Sequence, residues 1–162
     1  MQVSEIMTTE VFTCRPENTL RDAAKIMREI DCGAVPVVDG RSELIGILTD
    51  RDICLCASER DEPLTALQVS EAVTWKPVTC QPHEDLDCAE EKLGTHQIRR
   101  LPVIDPNGLL IGIVSFGDIA RARANGHPST EAETKVAATI TAISQPTPSF
   151  QSHIETPSGG IS

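Results

Sequence analysis

The chain repeats itself. Every position from Gln2 to Ile53 has a counterpart 66 residues further on, with no insertion or deletion. Gln2-Val3-Ser4-Glu5 returns as Gln68-Val69-Ser70-Glu71, Thr13-Cys14-x-Pro16 as Thr79-Cys80-x-Pro82, and Leu44-Ile45-Gly46-Ile47 as Leu110-Ile111-Gly112-Ile113. Solenoids stack many short units. A long period that occurs twice is instead one small supersecondary unit in tandem. Each copy is too short to bury a comfortable core alone, so the two are expected to pack on each other.

Within the first copy the pattern reads β-α-β-β-α. Val11 to Cys14 is expected as a short strand, closed by Arg15-Pro16. Thr19 to Ile30 reads as a helix: Thr19 and Asp22 have capping-box spacing, and Leu20, Ala23, Met27 and Ile30 fall on one face. Val35 to Val38 and Leu44 to Leu48 read as strands around a turn at 40–43, and the unbroken run LIGIL suggests burial on both faces. A second helix starts at Thr49. In the second copy, Pro77 to Cys80 is the expected opening strand and Glu84 to His96 the first helix. Leu101 to Ile104 pairs with Leu109 to Val114 across Asp105-Pro106-Asn107-Gly108, a strong hairpin-turn sequence. The last helix of the repeat opens at Ser115. The expected organisation is an α+β fold of two units, 1–61 and 62–124, followed by an extension over 125–162. In that extension Ser129 to Ser144 has a helical signature, with Val136, Ile140 and Ile143 at helical spacing. The Pro, Ser and Gly-rich end reads as a disordered tail.

Composition excludes several classes. A net charge of −10 disfavours nucleic acid and anionic membranes as partners. No run approaches the roughly 18 apolar residues that span a bilayer, and MQVSEIMTTE lacks the basic and apolar regions of a signal peptide. The cytoplasm is the expected compartment. With no Tyr, one Trp and three Phe, the core must be aliphatic. The six cysteines do not show CxxC spacing, so reduced, buried thiols are the first reading and a metal or redox role the second. Phosphate-loop, HExxH and GxSxG signatures are missing, so the chain is not expected to be an enzyme.

The two strand-to-helix turns carry the chemistry. Thr49 with Asp52, and Ser115 with Asp118, have the spacing of a helix cap, worth about 1 kcal/mol each. The same geometry suits a ligand. A helix start offers backbone N–H groups to phosphate, and a carboxylate can accept from the paired hydroxyls of a ribose. Both readings stand on the residues alone. His96 suits the end of a helix, and Trp75 is either a stacking surface or an exposed or dimer-facing residue.

The opening VSEIMT, the strand-to-helix stretch VFTCRPENTL, the elements GAVPVVD and RRLPVID, and the pair LIGILTDRDI and LIGIVSFGDI together resemble a tandem pair of cystathionine β-synthase (CBS) domains. The resemblance is to the stand-alone bacterial kind and covers about residues 1–123. It implies two units packed through their sheets about a pseudo-two-fold axis, pairing further into a homodimer. It also implies clefts for adenine nucleotides such as AMP, ADP or ATP, with S-adenosylmethionine or NAD behind them. Carried over by motif, Thr49 and Asp52 would serve one cleft, and Ser115 and Asp118 the other. Cys32, Gly33 and Ala34, and in the second copy Ile98, Arg99 and Arg100, would line the base pockets. Ile47 and Ile113, with Phe12 and Val78, would face the base.

The copies differ where small Gly33-Ala34 is replaced by Arg99-Arg100. Arginine grips phosphate in a bidentate way, but a solvated Arg pair or an ion pair is the other reading. The expected function is a regulatory or sensor module read by a partner protein. The alternatives are a ligand-free dimeric scaffold and a thiol sensor built on Cys14 and Cys80.

Overall fold

The protein was analysed as a computed structural model that describes residues 1–125 and 130–145. Helix α1 (Leu20–Glu29) starts at a complete capping box: Thr19 Oγ1 accepts from the Asp22 N–H at 3.2 Å, and the Asp22 carboxylate accepts from the Thr19 N–H at 3.1 Å. Leu20, Ala23 and Met27 are buried as their spacing predicts, but Ile30, beyond the helix end, is 38% exposed. Strands β1 (Ala34–Val38) and β2 (Leu44–Thr49) form an antiparallel hairpin, and β2 runs into α2 (Asp50–Arg60). The second copy gives α3 (Leu86–His96), the hairpin β4 (Arg100–Ile104) and β5 (Leu110–Ser115), and α4 (Phe116–Asn125).

The expected opening strands are not formed. Cys14 makes a single parallel bridge to Val37, and Cys80 makes one to Val103. The partner strands carry Pro36 and Pro102, which accept from Cys14 N–H and Cys80 N–H but have no N–H to return. The ladder therefore stops after one rung. β2 is also not buried on both faces: Gly46 and Leu48 are buried while Ile45, Ile47 and Thr49 are half-exposed. Its outer face is left for something else.

The packing unit is offset from the sequence repeat. The first core contains Leu20, Val35, Val37 and Leu48 of the first copy, with Leu67, Val69 and Val73 from the start of the second. The second core contains Leu86, Leu101, Val103, Val114 and Ile119, with Val3 from the chain's first turn, and Ile6 and Met7 packed on it. Each copy thus inserts its opening segment into the other's core. Burying one such aliphatic side chain stabilises by about 1.5–3 kcal/mol, so neither core is complete without its neighbour's segment.

The exchange is reciprocal to the residue. Val3 N–H donates to Glu84 O and Val69 N–H to Asn18 O, each at 2.9 Å. Leu44 N–H donates to Gly108 O at 3.0 Å and Leu110 N–H to Ser42 O at 3.3 Å, where the starts of β2 and β5 cross. Thr8 bridges Ile113 of β5, and the short strand β3 (Thr74–Trp75) pairs with Ile47 and Gly46 of β2. β3 belongs to the second copy by sequence and to the first sheet by hydrogen bonding, giving the order β1-β2-β3. These pairs define a pseudo-two-fold axis through the module. Gly46 and Gly112 make the approach possible: a methyl on Gly112 would lie 2.7 Å from Met7 Sδ and 3.1 Å from Thr8 O, and one on Gly46 would overlap Val73 Cγ2.

Helix α5 (Thr130–Ile143) packs on the second copy, against α3 and α4. Gly94 leaves room for Ala142, Ile143 packs on the second core, and Thr139 is buried with its hydroxyl donating to Lys135 O at 3.0 Å. Ile140, expected on the packed face, is 50% exposed. The docked stripe is set by the small residues facing Gly94 rather than by the largest apolar ones. Arg123 of α4 pairs with Glu90 at 2.6 Å and with Asp87, which also takes Lys135 of α5 at 2.9 Å. Of the expected tail, residues 146–162 lie outside the described residues.

A second lock in this copy is Glu84–Lys92, with Nζ 2.6 Å from the carboxylate and 3.0 Å from Thr79 O. Burial alone would raise the Glu84 pKa, but hydrogen bonds from Lys92, the Gln81 N–H and the Cys88 thiol outweigh it and hold the group below its ordinary value. A depressed carboxyl adds stability above its unfolded pKa and loses it as pH falls through the folded one. Lys92→Met is therefore expected to cost about 1–2 kcal/mol at pH 7. The gap from wild type should shrink as pH is lowered from 5 to 3 in urea titrations. A pH-independent gap would mean Lys92 acts through packing alone.

Candidate functional site

Strand register brings most of the sequence-selected residues into two equivalent clusters. In the first, Ala34 lies opposite Thr49 and Pro36 opposite Ile47, and Gly33 O accepts from the Asp50 N–H at 3.2 Å. In the second, Arg100 lies opposite Ser115 and Pro102 opposite Ile113, and Arg99 O accepts from the Phe116 N–H at 2.9 Å. Each cluster sits where a hairpin meets a helix start; Ile47 and Thr49 of β2 and Ile113 and Ser115 of β5 are half-exposed there, while Ala34, Pro36 and Pro102 are buried.

Both helix starts are capped in full. Asp52 Oδ2 accepts from the Thr49 N–H at 2.9 Å and the Thr49 hydroxyl at 2.6 Å, while Thr49 Oγ1 accepts from the Asp52 N–H at 3.2 Å. Ser115 and Asp118 repeat these bonds at 2.8, 2.6 and 3.2 Å. The hydroxyl proton is committed to the carboxylate in each, so neither hydroxyl can donate to a phosphate without opening its cap. In each carboxylate Oδ2 is consumed by the cap and Oδ1 takes no part in it. Capping therefore uses only one oxygen of each group.

The two clusters are not electrostatically alike. Asp50 adds a second carboxylate to the first helix start, and its Oδ1 accepts from the Arg51 N–H at 2.8 Å. Phe116 stands at that place in the second copy. Asp118 Oδ1 accepts from Arg121 Nη2 in an i,i+3 ion pair. The position matching Arg121 in the first copy is Leu55, which is exposed. Arg100 also reaches out of its own copy. A methyl on Gly33 would meet Asp50 Oδ2 at 3.2 Å and Arg100 Nη1 at 3.6 Å. The small residue in one copy thus makes room for the long one of the other. Sequence reasoning did not single out Asp50 or Arg121. The i,i+3 spacing of Asp118 and Arg121 was the signal available for the second.

Phe12 is 56% exposed, whereas Val78 packs against the second core. Cys32 and Ile98, at matching positions, lean on the first and second cores respectively, and Cys32 Sγ lies 3.2 Å from Ala34 O. Among the described residues no group of acids, histidines and cysteines has the arrangement of a metal site. None of their helices is long and apolar enough to cross a membrane.

The thiol-sensor alternative loses its best residues. Burial pushes the Cys14 thiol up to about 11 and the Cys80 thiol up to about 12, so neither forms the reactive thiolate at neutral pH. Native protein treated with a thiol reagent is expected to react first at exposed Cys54, with Cys14 and Cys80 protected until unfolding. Fast modification of Cys14 or Cys80 would show that the cores open readily.

A profile for the CBS domain matches residues 3–59 and 69–125. The CBS domain-containing protein YhcV of Bacillus subtilis (strain 168) is 42% identical over 120 residues, covering 73% of this chain and 82% of that protein. Among solved structures, CBSX2 in complex with AMP superposes with a TM-score of 0.68 at 27% identity, covering 76% of this chain and 96% of that one. The CBS domain pair of protein MJ0100, in complex with 5-methylthioadenosine and S-adenosyl-L-methionine, gives a TM-score of 0.70 at 26% identity over 77% and 97% of the two chains. This chain belongs to the CBS domain family, as a tandem CBS pair.

Proposed function

We propose that the module is a regulatory sensor that binds adenosyl ligands, adenine nucleotides such as AMP or ATP before others, beside its two helix starts. The observation that carries this reading is the second oxygen of Asp52, left over from a complete cap; at the pseudo-symmetric Asp118 the cap is the same and the second oxygen is held by the exposed Arg121. A charged acceptor held rigidly by its own helix is pre-organised for a pair of ribose hydroxyls. The half-exposed faces of Ile47 and Ile113 lie one strand position-pair away and suit a flat base. AMP in CBSX2 and the two adenosyl ligands in the MJ0100 pair support the ligand class. Occupancy would change how the copies or a homodimer pack, and a partner protein in the cytoplasm would read that change.

A thermal-shift panel of AMP, ADP, ATP, NAD and S-adenosylmethionine tests the reading. Ligand at a hundred times its Kd stabilises the folded state by about 2.7 kcal/mol, which for a chain of this size is about 5–10 °C. No shift with any of the five at millimolar concentration would reject it. One observation favours the second reading, a scaffold whose clefts are filled by its own side chains: Arg100 of the second copy already lies beside Gly33 of the first. That reading predicts a flat panel together with a stable dimer.

A further inference from the structure

The two ribose acceptors differ in what already holds them. Asp52 Oδ1 has no hydrogen-bond partner among the described residues, and the residue three positions on is Leu55. Asp118 Oδ1 is held by the guanidinium of Arg121, whose side chain is 70% exposed. The same guanidinium lies across the start of α4: its Nη1 would be 3.4 Å from a methyl on Gly117. A nucleoside arriving at the second site must displace this arginine from Asp118 with nothing to offer it in return. A nucleotide brings a phosphate, and arginine binds phosphate at least as well as carboxylate through the same fork of N–H donors. The phosphate can draw Arg121 off and release Oδ1 to the ribose. The first site has Leu55 at the matching helix position, so its Asp52 is not held in this way; the guanidinium that comes to that helix start, Arg100 of the second copy, lies beside Gly33, near the added carboxylate of Asp50.

We propose that Arg121 is a specificity-determining residue. It makes the second site select phosphorylated adenosyl ligands over unphosphorylated ones, while the first site, with Leu55 in its place, lacks that preference. The inference rests on the adenosyl-binding reading and adds to it a division of labour between the copies. At the first site the acceptor is free before a ligand arrives, and at the second a phosphate must release it.

Isothermal titration with AMP and with adenosine tests it on site-isolated variants. In Asp52→Asn chains only the second site has its acceptor. Adding Arg121→Leu is expected to lower the AMP-to-adenosine affinity ratio about three- to tenfold, by weakening AMP and improving adenosine. The converse pair, Asp118→Asn with and without Leu55→Arg, is expected to show the ratio rising at the first site. Both exchanged side chains are exposed, and circular dichroism checks that the fold is kept. A ratio unmoved by Arg121→Leu, in chains that bind both ligands, overturns the inference and leaves the adenosyl reading standing. Wild-type protein that binds neither AMP nor adenosine overturns both.

Discussion

Gly46→Ala is expected to lower the melting temperature by about 6–12 °C, the effect of roughly 3 kcal/mol on a domain of this size. The added methyl would overlap Val73 Cγ2 and lie 3.2 Å from Thr74 O. Val73 is β-branched and stiff, and Thr74 of β3 is backbone-paired to Ile47 of β2, so neither can yield cheaply. The clash falls between the copies, which makes it a test of the exchange. Val73→Ala in the same chain removes the overlapping methyl and should recover a good part of the loss, a non-additive result expected only of residues in contact. Unfolding should remain a single transition, because each core contains the other copy's segment. Additive losses from the two substitutions, or two separate transitions, would mean the opening segments are not sewn into the opposite cores.

Asp52→Asn with Asp118→Asn is expected to separate the two duties of the paired acids. The asparagine carbonyl can still accept from the backbone and hydroxyl of the cap, so stability should change by no more than about 1 kcal/mol. The amide nitrogen then stands where Oδ1 was and cannot accept from ribose. Losing a hydrogen bond to a charged group costs about 1.5–3 kcal/mol, so affinity for AMP should fall at least tenfold per site, read by titration calorimetry. Unchanged binding in a folded double variant would reduce both acids to caps.

Much of this was legible because it is local. The capping boxes at Thr19, Thr49 and Ser115 were readable from a hydroxyl and an acid three residues apart. The 105–108 turn was readable from its residues: Asp105 Oδ1 accepts from Asn107 N–H at 2.8 Å and Leu109 N–H at 2.9 Å, and Gly108 takes φ of 85°. The tandem spacing showed that two units exist, but not which opening segment packs on which core, since Val3 and Val69 stand at the same place in identical stretches. The exchange depends on a close approach at Gly46 and Gly112, and in a strand of LIGI a glycine looks like a mere interruption. The opening strands failed because strand propensity at Val11 and Val78 cannot supply the N–H that Pro36 and Pro102 lack. The site's asymmetry was half visible. Arg99 and Arg100 stood out as charges beside Pro102, but Arg100's reach to Gly33 and Arg121's hold on Asp118 are side-chain placements that no spacing prescribes.

A crystal structure of the protein grown with AMP tests the central claim most directly. The account predicts ribose hydroxyls about 2.6–3.0 Å from the second oxygens of Asp52 and Asp118, with the Thr49 and Ser115 caps intact and Arg121 turned from Asp118 toward phosphate. AMP bound with both carboxylates untouched, or sites filled only by Arg100 and Arg121 at saturating AMP, would contradict it.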